Sequence, residues 1–382
     1  MNGESVINAE KAYLLSVIST FKSYREQSLL RIQHKESSLD SLPCHHKQWL
    51  QKYNEDLEKI KKCIEKNHEF IPLVLRYAHC IFGNFYREEP TVPREQEIQT
   101  RSEGIDKVQA VFKQLMRDWS SLGAPERKQC YEPIYEEIFA NYPEDKFDRS
   151  MISVLVPGAG LGRLAFEIAS KGFTCQGNEF NVFMLIVSYF VLNLCKKVDE
   201  YEVYPWIHQY TNNLKAEDQM LGIRFPDVIP IPTPGSGFSM TAGDFLEVYT
   251  AADEWNCVAT CFFIDCAPNV VQFIESIFNI LKPGGLWVNL GPLLYHYSDI
   301  RRENSVEPSF QVVLQVIKRI GFELEKCQTH VKTKYCQNPM SMLQYEYDSV
   351  FFVCRKPNII EDKSDEPMID ISDNEVVLND SK

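Results

Sequence analysis

Apolar side chains recur at helical spacing through the first third of the chain. In the run NEDLEKIKKCIEKNHEF, Leu57, Ile60 and Ile64 fall on one stripe of a helix, and no β-rich run competes with it. A second helix is predicted over residues 106–119. Its apolar face is formed by Val108, Val111, Phe112, Leu115 and Trp119. We therefore expect residues 1–145 to form an N-terminal helical domain.

Two polar side chains lie beside that apolar face. Gln114 and Arg117 are three residues apart, so they line up along one edge of the predicted helix and could reach a common ligand. A solvated helix edge is the commoner situation for such residues. The spacing alone leaves both interpretations open.

From about residue 150, short β-rich runs alternate with helical segments. The β-rich runs include SVLVPGAG, FTCQGNEF, NCVATCFFID and GLWVNLGP, with LAFEIASKG and VQFIESIFNIL between them. This alternation indicates an α/β fold, a parallel sheet with helices on both faces, which we expect over residues 146–356. The proline-rich stretch at about 200–240 interrupts the rhythm, so we expect an irregular insertion over the ligand end of the sheet.

Composition and charge narrow the class of protein. The composition, 44% apolar and 24% charged, is typical of a folded globular chain, and the length of 382 residues allows two domains or one large domain with a sizeable extension. Without a long apolar run or a signal-peptide pattern, an intracellular protein is expected. Its twelve cysteines include no CxxC pair, which favours free thiols.

Nearly half of the net negative charge lies at one end of the chain. Lys+Arg 40 against Asp+Glu 53 gives a net charge of −13, which disfavours a nucleic-acid partner. Residues 357–382 contain eight acidic and two basic side chains and no aromatic residue. We predict that they form a disordered acidic tail.

A glycine-rich turn follows the first predicted strand. Gly158, Gly160 and Gly162 let the backbone approach a ligand closely, while Arg163 stands where a dinucleotide-binding GxGxxG motif would have its third glycine. The second strand ends in Glu179, 19 residues after Gly160. A carboxylate there can accept hydrogen bonds from both hydroxyls of a nucleoside ribose. The alternative is a solvated strand end.

Two further features follow in the same order along the chain. Asp244 and Phe245 come after the expected third strand and suit the amino group and the face of an adenine. Residues 281–285, Leu-Lys-Pro-Gly-Gly, predict a turn that ends a helix and leads into the strand 286–290.

These features together resemble the class I S-adenosylmethionine-dependent methyltransferases, which implies a Rossmann-like sheet. Longer runs between about residues 40 and 356 resemble the carnosine N-methyltransferase family in particular. They are LMRDWSSLGAPER, LVPGAGLGRLAFEIA, CQGNEF, YPWIHQ, FSMTAGDF, ATCFFID, ILKPGGLWVNLGPLLYH and QYEYDSVFFVCRKP. The resemblance implies methyl transfer from S-adenosylmethionine to the imidazole of carnosine, β-alanyl-histidine, giving anserine, in cytosol and nucleus.

The resemblance also implies a set of cofactor contacts. An arginine suits the methionine end of the cofactor because its guanidinium offers a carboxylate two parallel hydrogen bonds. Carried over residue by residue, the contacts are Gln114 and Arg117 at the methionine end, Gly158 and Gly160 in the loop, Glu179 at the ribose, Asp244 and Phe245 at the adenine, and Cys261 through its backbone. Read alone, Cys261 would be a core residue.

Asp265 is the predicted catalytic residue. It lies after a central strand, at the carboxyl end where open α/β sheets bind ligands. A carboxylate that accepts a hydrogen bond from the imidazole Nτ–H holds the lone pair on Nπ and stabilises the positive charge that grows there. His296, at the end of GPLLYH, is placed by the resemblance in the substrate pocket as a hydrogen-bonding or proton-relay partner. A lone histidine is otherwise usually structural.

Three tyrosines near the carboxyl terminus complete the predicted substrate site. Tyr345 and Tyr347 are two residues apart, so in a strand they would share a face and, with Tyr335, could enclose a flat imidazole. The alternative is a half-buried aromatic stripe, and Tyr347 is the preferred contact. Asn269 and Asn289 are weaker candidates for the pocket.

Pro268 departs from the family pattern, because a histidine is expected at that position. Neither the chemistry nor the sequence predicts a metal: the spacing of Cys44, His45, His46 and His68 matches no standard zinc site.

Three alternatives stay open: methylation of histidines in proteins, a non-catalytic adaptor that binds cofactor or protein, and a nicotinamide-dependent reductase, which the GxGxG spacing disfavours. The sequence also leaves open whether the protein forms a homodimer.

Overall fold

The structure is a computed structural model that describes residues 3–78, 81, 94–298, 300 and 304–358. From residue 359 onward, the predicted acidic tail lies outside the described residues. The described cysteines are free thiols. Among the described helices, none is long and apolar enough to cross a bilayer.

Helices make up the first third of the chain and recur between the strands. They are α1 (Gly3–Asp40), α2 (Cys44–Trp49), α3 (Gln51–Leu75), α4 (Arg94–Trp119), α5 (Ala124–Cys130), α6 (Glu132–Asn141), α7 (Arg163–Ala169), α8 (Val182–Leu194), α9 (Ala216–Gln219), α10 (Phe245–Val248), α11 (Val270–Ile280) and α12 (Phe310–Ile320). Short 3₁₀ turns occur at Ser121–Gly123, Arg149–Met151 and Ile264–Cys266.

Seven strands form one sheet and two form a small second sheet. The strands are β1 (Ser153–Pro157), β2 (Thr174–Glu179), β3 (Tyr201–Val203), β4 (Ile223–Phe225), β5 (Phe238–Ala242), β6 (Trp255–Cys261), β7 (Leu281–Gly291), β8 (Glu323–Thr333) and β9 (Tyr347–Arg355). The large sheet has the order β5-β2-β1-β6-β7-β9-β8.

The large sheet is parallel from β5 to β7, and β9 runs antiparallel between β7 and β8. This confirms the predicted α/β fold. The strand order reverses at β1, so the carboxyl ends of β1, β2 and β6 border one crevice, the usual ligand position in open α/β sheets.

Alternation along β1 explains why both faces of the sheet carry helices. Val154 and Val156 pack with α5, α6 and α7 on one face. Leu155, pointing the opposite way, packs with α10, α11 and α12 on the other. Because every residue from Val154 to Val156 is buried, the strand reads as a continuous apolar run.

The predicted helix stripes of the N-terminal region are confirmed. Leu57, Ile60 and Ile64 are buried on α3, and the apolar face of the second helix is buried on α4. The α4 helix begins at Arg94, earlier than the predicted residue 106. Residues of α1, α3 and α4 share one core with α8, which belongs to the sheet region.

The prediction of an irregular insertion at 200–240 was wrong in part. Strands β3 and β4 pair antiparallel there, and Trp206 is fully buried in the core of the N-terminal helices. Asn67 on α3 explains the attachment: its amide donates to the carbonyl of Tyr204 at 3.0 Å and accepts from the N–H of Tyr204 at 2.7 Å. A buried asparagine thus replaces the backbone partners of a strand.

The Pro-Gly-Gly turn lies inside strand β7 rather than before it. Gly284 has φ +75°, and the pairing of β6 with β7 shifts register between Trp255↔Leu281 and Cys257↔Leu286. Regular pairing begins at Leu286, as predicted. The Pro-Gly-Gly residues therefore produce an irregularity in the pairing of β7 with β6 instead of a separate turn.

His208 makes the stability of this fold depend on pH. Its Nε2 lies 3.1 Å from the hydroxyl of Ser28 on α1, and burial, with the charges of Arg31 and Lys113, lowers the pKa of His208 from 6.5 to about 3. Between those pH values the unfolded chain binds a proton that the folded chain does not, so stability falls as the pH drops below about 6.5.

We predict that His208→Gln makes the free energy of unfolding less dependent on pH. His208 contributes up to about 1.4 kcal/mol per pH unit to this dependence. Urea unfolding at several pH values between about 5 and 7 measures it. The matched control is His45→Gln, because His45 is exposed. An unchanged slope in His208→Gln would contradict the assignment.

Candidate active site

The glycine-rich loop begins at the carboxyl end of β1, inside the crevice. Gly158, Gly160 and Gly162 have φ of +67°, +56° and +84°, a region that favours glycine. A Cβ on Gly158 would lie 2.5 Å from Cδ2 of Phe263. The loop therefore needs glycine both for its conformation and for the close approach of its neighbours.

Glu179, at the end of β2, is bound to this loop. Its Oε2 accepts a hydrogen bond from the N–H of Gly160 at 2.8 Å, and its Oε1 accepts from the N–H groups of Phe180 at 2.9 Å and Asn181 at 2.7 Å. Burial raises the pKa of Glu179, and these three bonds oppose the shift. The carboxylate is thus held in one orientation, and Oε2 keeps lone-pair capacity for a hydroxyl donor.

Asp118 joins the helical region to the loop, and sequence reasoning missed it. Its side chain is fully buried. Oδ1 accepts from the hydroxyl of Tyr131 at 2.6 Å, while Oδ2 accepts from the amide of Gln114 at 3.0 Å and the N–H of Leu161 at 3.3 Å. The available signal was the spacing: Asp118 lies four residues after Gln114, on the same side of the predicted helix.

Arg163, which stands at the third glycine position of a GxGxxG motif, has a structural role here. Its Nη1 donates to the carbonyl of Asp118 at 2.8 Å and to Oδ1 of Asp227 at 2.5 Å, and its Nε donates to Glu167 at 2.7 Å. The guanidinium also lies 5.0 Å from the ring centre of Trp119. An arginine here attaches the loop to the end of α4, which a glycine could not do.

Gln114 and Arg117 are buried, so the interpretation as a solvated helix edge was wrong. Arg117 pairs with Glu126 at 3.3 Å and donates to the carbonyl of Lys334 at 2.9 Å. Tyr335 connects the two side chains: its hydroxyl donates to Oε1 of Gln114 at 3.0 Å, and its ring centre lies 4.4 Å from the Arg117 guanidinium. Both residues therefore belong to one polar cluster beside the loop.

Cys261 ends β6 next to this cluster. Its sulfur lies 4.0 Å from Nη2 of Arg117 and 3.9 Å from the carbonyl oxygen of Cys130. Among the described residues, that long sulfur contact is the one hydrogen bond of Nη2. Nη2 is thus the part of the guanidinium with the weakest hydrogen bonding.

The predicted adenine residues have different environments. Asp244 caps α10, where its carboxylate accepts from the N–H of Leu246 at 2.8 Å. Phe245 is only 3% exposed and packs against Phe263 and Phe273, with ring centres 5.6 and 5.4 Å away. Its ring is part of the core in this arrangement, and contact with an adenine stays a prediction.

Asp265 lies in the 3₁₀ turn after β6 and is 2% exposed. Its Oδ2 accepts from the N–H of Leu294 at 2.8 Å, whereas Oδ1 is buried and has no hydrogen-bond partner among the described residues. Burial raises the pKa of Asp265, opposed by the Leu294 N–H and by His296. A buried carboxylate oxygen without a donor is costly, which makes this atom a candidate acceptor for a ligand that brings one.

His296 is next to Asp265. Its backbone N–H donates to the carbonyl of Asp265 at 3.0 Å, and its side chain is exposed. The structure thus brings together the two predicted catalytic residues, which are separated by a helix and a strand in the chain.

The tyrosines divide into two groups. Tyr335 and Tyr347 flank Phe262, with ring centres 5.0 and 5.7 Å from it. Tyr345 is 61% exposed and precedes β9, which begins at Tyr347. The prediction that Tyr345 and Tyr347 share a face of one strand was therefore wrong.

A cavity of about 490 Å³ adjoins the Gln114 cluster. It lies between α4, the insertion and the loop before β9. Its lining includes Gln114, Trp206, Gln209, Tyr335, Asn338 and Tyr345. Tyr345 thus belongs to the rim of the cavity rather than to the aromatic pair at Phe262.

The weaker candidates have structural partners. Asn269 caps α11 and accepts from the N–H of Val271 at 3.1 Å, and Asn289 accepts from the hydroxyl of Thr260 at 2.8 Å. The carbonyl of Pro268 accepts from the N–H of Val306 at 3.1 Å. Within the described ranges, Cys44, His45, His46 and His68 do not form a group of metal-ligand type.

We predict that Asp118→Ala destabilises the protein by about 3 kcal/mol or more, because it leaves three buried donors without their acceptor. The control on the same helix is Asp106→Ala, which removes an exposed ion pair with Arg31 and should cost less than about 1 kcal/mol. Urea unfolding of both variants measures the difference. Equal losses would show that Asp118 does not join the two regions.

The pattern of the family described as carnosine N-methyltransferase matches residues 94–358. A solved SAM-dependent methyltransferase from Methanosarcina mazei is 13% identical, covers 58% of this chain and 97% of its own, and has a TM-score of 0.38, too distant to inform the site.

Two curated relatives are far more similar. "Carnosine N-methyltransferase unmet" of Drosophila melanogaster is 44% identical over 378 residues, which is 94% of this chain and 83% of that protein. The carnosine N-methyltransferase of Rattus norvegicus is 45% identical over 350 residues, which is 91% of this chain and 87% of that protein. The chain therefore belongs to the carnosine N-methyltransferase family.

Proposed function

We propose that this protein transfers the methyl group of S-adenosylmethionine to the imidazole Nπ of the histidine in carnosine, which gives anserine, and that it accepts related histidine-containing dipeptides. The names of its relatives support the substrate. The single observation that carries the chemistry is the unpartnered Oδ1 of Asp265, a buried anionic oxygen next to an exposed histidine.

The crevice residues fit S-adenosylmethionine. Glu179 offers an oriented carboxylate to the ribose hydroxyls, and the backbone of Gly158 and Gly160 allows close approach. At the methionine end, Gln114 and the weakly bonded Nη2 of Arg117 would hold the amino acid group. When bound, the cofactor supplies an electrophilic sulfonium methyl group.

Asp265 selects the nitrogen that reacts. Because its Oδ2 is already bound by the N–H of Leu294, the carboxylate is fixed and Oδ1 accepts the Nτ–H of the substrate. The imidazole lone pair then lies on Nπ. As positive charge grows on the ring, the buried carboxylate stabilises it more strongly than water would.

His296 and the tyrosines position the substrate in this proposal. The exposed ring of His296 gives the methylated imidazole a route by which its Nτ proton returns to solvent. Tyr347 and Tyr335, on either side of Phe262, form an aromatic wall for a flat ring. Tyr345, at the cavity rim, would contact the β-alanyl end.

We expect Asp265→Ala and Glu179→Ala to lose different functions. Asp265→Ala should reduce turnover by about 10²- to 10³-fold and change the affinity for S-adenosylmethionine by less than about threefold. Glu179→Ala should weaken that affinity by about tenfold or more, because it removes a charged acceptor. Calorimetric titration and transfer from labelled cofactor measure the two effects. An equal loss of cofactor affinity in both variants would refute this division.

The pH dependence should report the protonation of both partners. Below about pH 6.5 the substrate imidazole is protonated and cannot attack, so kcat/KM should fall about tenfold per pH unit. Burial raises the pKa of Asp265, so its carboxylate is lost at a higher pH than an ordinary aspartate and the acid limb steepens further. A flat profile from pH 5 to 7 would contradict the mechanism.

NMR of the product decides the ring nitrogen. Methylation at Nπ is expected, and methylation at Nτ would overturn the role of Asp265. Cofactor binding without transfer to carnosine, but with transfer to histidines in proteins, would favour the alternative substrate class. Cofactor binding without any transfer would favour a non-catalytic adaptor.

A further inference from the structure

Three side chains of metal-ligand type meet at the carboxyl end of the sheet. One ligand atom each of Asp265, Cys266 and His296 lies within 4.8 Å of the other two. The set offers a carboxylate oxygen, a thiol sulfur and an imidazole nitrogen, the donors that zinc takes in proteins. Within the described ranges, this is the one such group.

An independent observation points to a ligand at this place. Oδ1 of Asp265 is buried and unpartnered, while the N–H of Leu294 holds Oδ2 and therefore the orientation of the carboxylate. A buried anionic oxygen is stabilised either by a hydrogen-bond donor or by a cation. The carboxylate that would accept the substrate N–H can thus also accept a metal ion.

The geometry allows the group to close around an ion. Tetrahedral zinc with ligands at about 2.0–2.3 Å places the ligand atoms about 3.5 Å apart, so the group must contract by about 1 Å. His296 can supply this movement because its side chain is exposed, while its backbone stays bound to the carbonyl of Asp265 at 3.0 Å. The thiol of Cys266 makes only a weak bond, 3.6 Å to the carbonyl of Phe262.

We propose that Asp265, Cys266 and His296 form an inhibitory Zn²⁺ site with three protein ligands and water as the fourth. Binding releases the Cys266 thiol proton to solvent and occupies Oδ1 of Asp265. Zinc therefore competes with the imidazole substrate but not with the cofactor. The inhibition rests on the proposed function of Asp265, whereas the metal site itself does not.

Direct binding is tested on the full chain after removal of metal by a chelator and in the absence of dipeptide. Co²⁺ titration should give one equivalent with a thiolate-to-cobalt charge-transfer absorption, which Zn²⁺ displaces. Cys266→Ser should abolish that absorption and weaken the affinity at least tenfold, and His296→Gln should weaken it similarly. The matched control is Cys327→Ser, an exposed thiol on β8 whose loss should change nothing.

Inhibition is tested by methyl transfer to carnosine with free Zn²⁺ set by a metal buffer, because the imidazole of the substrate also binds zinc. Zinc should raise KM for carnosine, leave kcat unchanged and be reversed by chelator. Cys266→Ser should keep activity within about twofold and need at least tenfold more zinc for the same inhibition.

Two results would overturn the proposal: cobalt binding without a thiolate absorption, or zinc inhibition that persists unchanged in Cys266→Ser. Failure of the proposed function would look different. The zinc-free protein would then not methylate carnosine at all, while the cobalt titration would still decide whether the metal site exists.

Discussion

The buried carboxylate of Asp118 is the interaction on which the candidate site depends. It accepts hydrogen bonds from Gln114 on α4, from the hydroxyl of Tyr131, which immediately precedes α6, and from the N–H of Leu161 in the glycine-rich loop. Arg163 reinforces the same junction through the carbonyl of Asp118. The sheet supplies one wall of the site and the N-terminal helices the other, so neither part makes the site alone.

Three carboxylates at the crevice differ mainly in how completely they are satisfied. Asp118 receives three donors and has a structural role, and Glu179 receives three backbone donors that leave capacity at Oε2. Asp265 alone keeps an oxygen that is buried without a donor. Among these three carboxylates, this oxygen is therefore the candidate position for a ligand that brings a hydrogen-bond donor or a positive charge.

Local patterns predicted much of the architecture. The helical stripe on α3 and the alternation of strands and helices can be read from the spacing of apolar residues. Any compact fold must bury apolar residues that are spaced in this way. The positions of the glycines and of Glu179 follow from the short connections between consecutive strands. The insertion was harder, because Tyr204 is attached by Asn67, more than a hundred residues away in the chain, and Trp206 is buried among the N-terminal helices. Similarly, β9 begins at Tyr347 because that residue pairs with β8, and Tyr345 therefore lies outside the strand.

The sequence by itself determined the fold class and the family resemblance, and it led to the prediction that Asp265 is the reactive carboxylate, because these depend on residue types at short and regular spacing. Only the tertiary structure decided which polar side chains are already satisfied. In the folded protein, Arg117 pairs with Glu126, and Arg163 binds the carbonyl of Asp118. The ring of Phe245 is buried, and Cys266 and His296 lie next to Asp265. These outcomes depend on contacts between distant segments, and hydrogen bonding and burial are properties of those contacts rather than of any local pattern.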